Sequence, residues 1–112
     1  MKIYHNPRCQ KSRQTLQIIE DSGAKTEVVE YLKTPPTEQE LKAILDKLGL
    51  KAEDIIRKSE KLYKEEYKGK SLTEGGWIKV LANNPILIER PIVVSGNKAV
   101  IGRPPENVKT LL

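Results

Sequence analysis

Residues 1–32 read MKIYHNPRCQKSRQTLQIIEDSGAKTEVVEYL, and this stretch predicts a β-α-β unit. Residues 1–5 are a short strand candidate that ends at a turn-forming Asn-Pro pair. A helical pattern begins at Cys9, and the polar run 21–23 stops it. Its apolar face consists of Leu16, Ile18 and Ile19. Residues 26–32 are rich in β-branched side chains and predict a second strand. A helix of this length lets the second strand run parallel to the first.

The middle of the chain, at about 37–84, predicts a helical insertion. Thr37 and Glu40 have the spacing of a capping box, and Gly49 ends the helix that they begin. The rest of this region comprises two more predicted helices, at 52–57 and from 71 or 73 to 83, and a charged stretch at 60–70 that is open between helix and loop.

The last part of the chain predicts a hairpin and a closing helix. Strands are expected at 91–95 and 98–102, joined by a Gly-Asn pair that favours a two-residue turn. A helix with proline in its first turn follows from 103 to 112. The order β-α-β, helical insertion, β-β-α is that of a thioredoxin-like α/β fold with a mixed four-stranded sheet. At 112 residues, the chain is expected to form a single domain over 1–112.

Composition narrows the classes of function. The chain carries 20 Lys and Arg against 15 Asp and Glu, a net charge of +5. Because acids are interspersed with the bases, a small anionic substrate fits better than a nucleic acid. No apolar stretch approaches the roughly 18–20 residues of a membrane helix, and the first residues enter a strand without room for a signal peptide. We therefore expect a cytoplasmic, monomeric protein without a membrane partner.

Cys9 is the only cysteine, which excludes an internal disulfide and a cysteine-rich metal site, so we expect no metal. A lone cysteine is often a small buried hydrophobe, but the neighbours of Cys9 are polar or basic. It also lies where a strand ends and a helix begins, and free N–H groups at a helix start favour a thiolate. Lys11 and Arg13 add positive charge nearby. The pattern indicates a reactive nucleophile.

Besides Arg13, two other side chains close in sequence are candidates for tuning this thiolate. Ser12 stands where a redox dithiol has its second cysteine; its hydroxyl can hydrogen-bond the thiolate but cannot resolve a disulfide. Any covalent intermediate on Cys9 therefore needs a thiol from another molecule. His5 is the only histidine, and it either tunes the thiolate, orients a neighbour, or has no role at its strand end.

Arginines elsewhere are candidates for binding an anion. Arg90 and Arg103 each precede a proline, at the ends of predicted strands, and Arg57 is a third candidate. Guanidinium groups bind two oxygens of a tetrahedral oxyanion in one plane. Taken alone, each is an ordinary surface charge. The residues themselves leave open whether the anion is arsenate, phosphate, sulfate or a carboxylate of glutathione.

The chain resembles the ArsC family of glutaredoxin-dependent arsenate reductases. The matching segments, in family order, are HNPxCxxSR at 5–13, YLxTPP at 31–36, PILIxRPIVV at 85–94 and RP at 103–104. The resemblance implies that Cys9 attacks arsenate and that three arginines hold the oxyanion. By position these arginines resemble Arg57, Arg90 and Arg103.

The same resemblance implies the reductants and two alternative functions. Family members use glutathione as a co-substrate and glutaredoxin as a reductant, with no tightly bound cofactor. The family also includes Spx-type regulators, which bind RNA polymerase and often carry CxxC where this chain has Cys9-Gln-Lys-Ser12. A glutathione-dependent thiol reductase without arsenate activity is the other alternative. Ser12 and the arginines favour the arsenate reductase.

Thioredoxin-like domains place a cis-proline at the start of the strand that opens the final hairpin. Pro91 holds that position here, just before the run Ile-Val-Val. We therefore expect a cis peptide bond between Arg90 and Pro91, which directs Arg90 towards the cysteine. Proline is the residue for which a cis bond costs least, about 0.5–1 kcal/mol.

Overall fold

The computed structural model describes all 112 residues, which divide into two compact units. The first unit combines Met1–Thr34 with Arg90–Leu112, and the second is Pro35–Glu89. The second unit corresponds to the expected helical insertion and is wider than predicted at both ends. None of the helices combines the length and the apolar character that crossing a bilayer requires.

The first unit is built around a sheet of four short strands. Its elements are β1 (Lys2–His5), α1 (Gln10–Asp21), β2 (Glu27–Glu30), β3 (Ile92–Ser95), β4 (Lys98–Ile101) and a 3₁₀ helix (Pro105–Leu111). The strand order is β2-β1-β3-β4. β1 runs parallel to β2, whereas β3 is antiparallel to both β1 and β4. The predicted thioredoxin-like fold with a mixed sheet is confirmed.

The core of this unit lies where the two central strands meet α1 and the last helix. Ile3 pairs with Val28 on one side and Val93 on the other. Ile3, Val93, Ile19 of α1 and Val108 of the 3₁₀ helix are fully buried and form one cluster. Burying an aliphatic side chain of this size contributes about 1.5–3 kcal/mol. This cluster fixes α1 against the sheet.

The buried face of α1 differs from the expected one. Ser12, Thr15 and Ile19 are buried, whereas Leu16 and Ile18 are only half-buried. The apolar periodicity therefore identified the helix but not the whole of its inner face. Two small polar residues occupy the inner face of the half that follows Cys9.

The second unit is helical. It contains α2 (Glu38–Leu48), α3 (Glu74–Asn83), two 3₁₀ helices (Ala52–Ile55 and Pro85–Leu87) and one π-helical turn (Tyr63–Tyr67). The predicted capping box is confirmed: Glu40 N donates to Thr37 Oγ1 at 3.1 Å, and Thr37 N donates to Glu40 Oε1 at 3.3 Å. Gly49 ends α2 with a φ of 70°, a conformation that favours glycine.

Two predicted helices are 3₁₀ helices in the structure. The segment expected at 52–57 is Ala52–Ile55, and the closing helix expected at 103–112 is Pro105–Leu111. Both are short, and short helical segments often take the tighter i→i+3 hydrogen-bond pattern. The stretch at 60–70, left open by the sequence, contains the π-helical turn.

Candidate active site

Cys9 lies in the turn between β1 and α1 and is the N-cap residue of α1. Its N–H donates to Asn6 O at 3.0 Å, and its carbonyl oxygen accepts from Arg13 N at 3.0 Å. The thiol is free and half-buried. The first turn of α1 contains no acidic residue, so the positive end of the helix dipole is not offset by a local carboxylate.

Three donors converge on the Cys9 sulfur. Arg103 Nη2 donates to Sγ at 3.6 Å. The backbone N–H of Ser12 and the side chain of Arg90 are also hydrogen-bonded to it. Burial raises the pKa of the Cys9 thiol, but these donors and the charges of the two arginines outweigh it, so the pKa lies below its ordinary value. The site therefore favours a thiolate.

Two hydrogen bonds join the segments that carry the two arginines. Arg103 Nε donates to Arg90 O at 2.7 Å, and Gly102 N donates to Pro91 O at 2.8 Å. The Arg90–Pro91 peptide bond is cis, as the sequence predicts. The Arg103–Pro104 bond is also cis, which we did not predict.

Arg90 also lies beside Tyr31, which is buried. Burial lowers the pKa of Arg90, but its hydrogen bond to Cys9 and the neighbouring Tyr31 hydroxyl raise it above the ordinary arginine value. Arg90 is therefore a permanent cation held between a thiol and a phenol. Tyr31 received no role from the sequence; its place directly after a strand of β-branched residues is the signal that it is buried near the strand end.

His5 and Ser12 form a buried pair next to the nucleophile. His5 Nδ1 lies 2.6 Å from Ser12 Oγ, and Asn6 N donates to the same oxygen at 3.0 Å. The Ser12 hydroxyl is thus engaged by His5 and Asn6, and it is the Ser12 backbone N–H that reaches the sulfur. Of the roles open to His5, this geometry fits that of orienting a neighbour. Burial lowers the pKa of His5, which the charge of Glu30 partly offsets, so the site favours the neutral imidazole.

The other two predicted site arginines have different partners. Arg13 Nη1 donates to Pro7 O at 2.9 Å, so its guanidinium holds the turn that precedes Cys9. Arg57, in the second unit, is ion-paired to Glu60 at 3.4 Å and to Glu89 at 3.2 Å. The predicted role of Arg57 in binding the oxyanion stays a prediction.

Asn6 is a residue of this region that sequence reasoning missed. It is buried, its Oδ1 accepts from Arg8 N at 3.0 Å, and its backbone carbonyl accepts from Cys9 N. This side-chain-to-backbone bond two residues on is an Asx turn, which Asn before Pro readily forms. The signal was present in the Asn-Pro pair, which we interpreted only as a strand end. No group of three His, Cys, Asp or Glu side chains is arranged to hold a metal ion.

The fold and this site define a thioredoxin-like protein with a single cysteine between two arginines. A sequence profile of the ArsC family matches residues 4–111, and the chain belongs to that family.

The chain is similar over nearly its whole length to other proteins and to solved structures. The arsenate reductase of Neisseria meningitidis serogroup A is 46% identical over 114 residues, covering 100% of this chain and 97% of that protein. YfgD of Escherichia coli, an uncharacterized protein, is 49% identical over 110 residues, covering 96% of this chain and 92% of its own. The solved structure of an arsenate reductase from Vibrio cholerae has a TM-score of 0.94 at 45% identity, covering 100% of this chain and 98% of that one.

Proposed function

We propose that this protein is an oxidoreductase that reduces arsenate to arsenite, with the Cys9 thiolate as nucleophile and external thiols as reductants. The observation that carries the proposal is the convergence of two guanidinium groups and a helix N-terminal N–H on one cysteine sulfur. The names of relatives that are 40–46% identical over nearly the whole chain support arsenate as the substrate.

In the first step a negatively charged thiolate has to approach an anion, and the positive charges of the arginines reduce this repulsion. Arg90 and Arg103 already lie on the sulfur, so an oxyanion that enters beside Cys9 meets both cations. Their planar forks match two oxygens of a tetrahedral anion. Charge that develops on those oxygens in the transition state is stabilised by groups already in place. By the family resemblance, Arg57 is the third arginine of this set.

The first chemical step forms a sulfur–arsenic bond. The lone pair of the Cys9 thiolate attacks arsenic, one arsenic–oxygen bond breaks, and that oxygen leaves as water after taking up protons. Arsenic stays pentavalent in this step. The thiolate is the reacting form, and the lowered pKa of Cys9 raises its fraction at neutral pH.

Reduction requires two further thiols, because Cys9 is the only cysteine of the chain. Glutathione replaces a second oxygen on arsenic, which leaves as water. The thiolate of glutaredoxin then attacks the glutathione sulfur: a sulfur–sulfur bond forms, and the electron pair of the arsenic–sulfur bond stays on arsenic, which becomes trivalent. Water displaces Cys9, whose sulfur recovers its electron pair, and arsenite leaves.

The test is arsenite production from arsenate by the full-length protein with glutathione and glutaredoxin. We expect turnover by the wild type, none by Cys9→Ser, and a strong loss when glutaredoxin is omitted. Ser71→Ala, an exposed position outside α3, is the matched control and should keep wild-type turnover. Arsenite formation no faster than in the protein-free mixture, or full activity in Cys9→Ser, would contradict the proposal.

A further inference from the structure

The contact between α1 and the end of the hairpin is unusually close. Thr15 is fully buried on the inner face of α1, two turns from Cys9. Its Oγ1 donates to Lys11 O at 2.8 Å and lies 3.5 Å from Gly102 O. A small side chain at this point lets the backbone of Gly102 approach the helix.

Gly102 leaves no room for a side chain. A Cβ built on Gly102 would lie 2.5 Å from Thr15 Oγ1, 2.8 Å from Pro91 Cγ and 3.0 Å from Thr15 Cγ2. Gly102 is not among the glycines with positive φ, so its backbone suits any residue. Glycine is therefore required here for space and not for conformation.

The three residues of this contact are directly linked to the groups on the sulfur. Pro91 follows Arg90, and Gly102 precedes Arg103, in the chain. Gly102 N donates to Pro91 O at 2.8 Å, so the two arginine-bearing segments are hydrogen-bonded to each other next to this contact. Thr15 belongs to the helix that begins at Cys9.

We propose that the three-way contact of Gly102, Thr15 and Pro91 sets the distance between the Cys9 sulfur and the two guanidinium groups, which makes Gly102 and Thr15 positioning residues of the site. Any atom added at the contact pushes α1 away from the segments that carry Arg90 and Arg103. The thiolate then loses part of the stabilisation that these cations and hydrogen bonds provide. The role of this contact in catalysis rests on the proposed function, but its effect on the pKa of the Cys9 thiol does not.

The first test is the rate of Cys9 alkylation by iodoacetamide as a function of pH in Gly102→Ala. We expect the midpoint to rise and the rate at pH 7 to fall several-fold, because less thiolate is present. Gly75→Ala is the matched control: it is exposed, and an added Cβ there meets nothing within 4 Å. It should keep the wild-type midpoint.

A second substitution, added to Gly102→Ala, tests whether crowding against Thr15 causes the change in alkylation. Two of the three close approaches to the added Cβ involve Thr15, so Thr15→Ala combined with Gly102→Ala should recover part of the wild-type alkylation profile. Failure of the double variant to recover any of it, or a folded Gly102→Ala protein with the wild-type midpoint, overturns the proposal.

Two milder substitutions, both of Thr15, test the proposal if Gly102→Ala does not fold. Thr15→Val keeps both branches and replaces the hydroxyl with a methyl group, whereas Thr15→Ile adds one further methyl group to the same contact. We expect a raised midpoint in Thr15→Ile relative to Thr15→Val, and equal midpoints would overturn the proposal. In turnover assays Gly102→Ala should raise the arsenate KM more than it lowers kcat. A wild type without arsenate turnover would remove the proposed function and leave the alkylation profiles to decide the positioning role.

Discussion

Arginines are used differently in the two units. In the second unit, Arg57 is ion-paired to Glu60 and Glu89, so its charge is offset by carboxylates. In the first unit, Arg90 and Arg103 are directed at a cysteine sulfur. The first arrangement pairs a cation with carboxylates, whereas the second keeps positive charge beside the cysteine, where the proposed oxyanion would bind. The partners of an arginine, more than its presence, mark the candidate site.

The cores of the two units also differ, in how many polar side chains they bury. All four buried polar side chains belong to the first unit: His5, Asn6, Ser12 and Thr15. The buried residues of the second unit are mainly aliphatic, with Trp77 among them. A buried polar network needs every partner in place, and it specifies geometry more than it adds stability. We therefore expect substitutions in the first unit to change chemistry and substitutions in the second to change stability.

The largest expected effect is the loss of turnover in Arg103→Ala and in Arg90→Ala. Removing one preorganised donor to a developing oxyanion lowers kcat by about 10²–10³-fold. Lysine at either position should restore little, because it cannot form the planar fork. Steady-state arsenite production measures the effect, and unfolding by urea should change little. Normal kinetics in Arg90→Ala would remove that residue from the site.

The next effect belongs to the second unit. Leu81 is fully buried in α3, and Leu81→Ala should lower the free energy of unfolding by about 2–5 kcal/mol. Urea unfolding gives the loss, and Cys9 alkylation of the still-folded variant should keep its wild-type pH profile. An alkylation midpoint raised as far as in Gly102→Ala would contradict the division between the units.

Local signals were sufficient to predict much of the fold. The capping box at Thr37 and the turn at Gly96-Asn97 each depend on residues a few positions apart, and both are present. The inner face of α1 was not predicted, because part of it contacts residues that are distant in the chain. Thr15, for instance, meets Gly102, 87 positions away.

The sequence predicted several residues of the candidate site, but not the hydrogen bonds and ion pairs that they make. Cys9 was identified from its place at a helix start, whereas Arg90 and Arg103 were candidates from their Arg-Pro pairs and were assigned to the site by the family resemblance. The sequence could not reveal that the Ser12 backbone reaches the sulfur while its hydroxyl binds His5. It also could not supply the carboxylate partners of Arg57, since Glu89 is 32 positions away from it. The first pairing depends on the exact geometry of a turn, and the pairing of Arg57 with Glu89 depends on a tertiary contact; residue types alone encode neither.

A smaller effect is expected for Arg57→Gln, which separates the ion-pair role from oxyanion binding. The variant leaves Glu60 and Glu89 without this cation, and the pairs are partly exposed, so stability should fall by about 1 kcal/mol. As the proposed third arginine, Arg57 should also affect arsenate turnover, but less than Arg103 does. Urea unfolding and steady-state kinetics measure the two effects. A loss of turnover as large as in Arg103→Ala would break the contrast between the arginines of the two units.

The smallest expected effect is the contribution of Cys9 to the pH dependence of the free energy of unfolding. The pKa of the thiol is lower in the folded protein than in the unfolded chain, where it is about 8.5. Between these two values the unfolded chain binds more protons than the folded protein, so stability rises with pH. The contribution is fully present above the unfolded pKa and is lost as the pH falls through the folded pKa.

Comparing the wild type with Cys9→Ser isolates this contribution, because every other titrating group is common to both proteins. We expect the difference in free energy of unfolding, measured with urea under reducing conditions from about pH 6 to about pH 9.5, to grow in favour of the wild type and then to level off. In the Arg103→Ala background the same difference should grow less, because one of the cations that stabilise the thiolate is gone. A difference that stays constant with pH would show that the folded protein does not stabilise the thiolate, and it would remove the electrostatic basis for treating the two units differently.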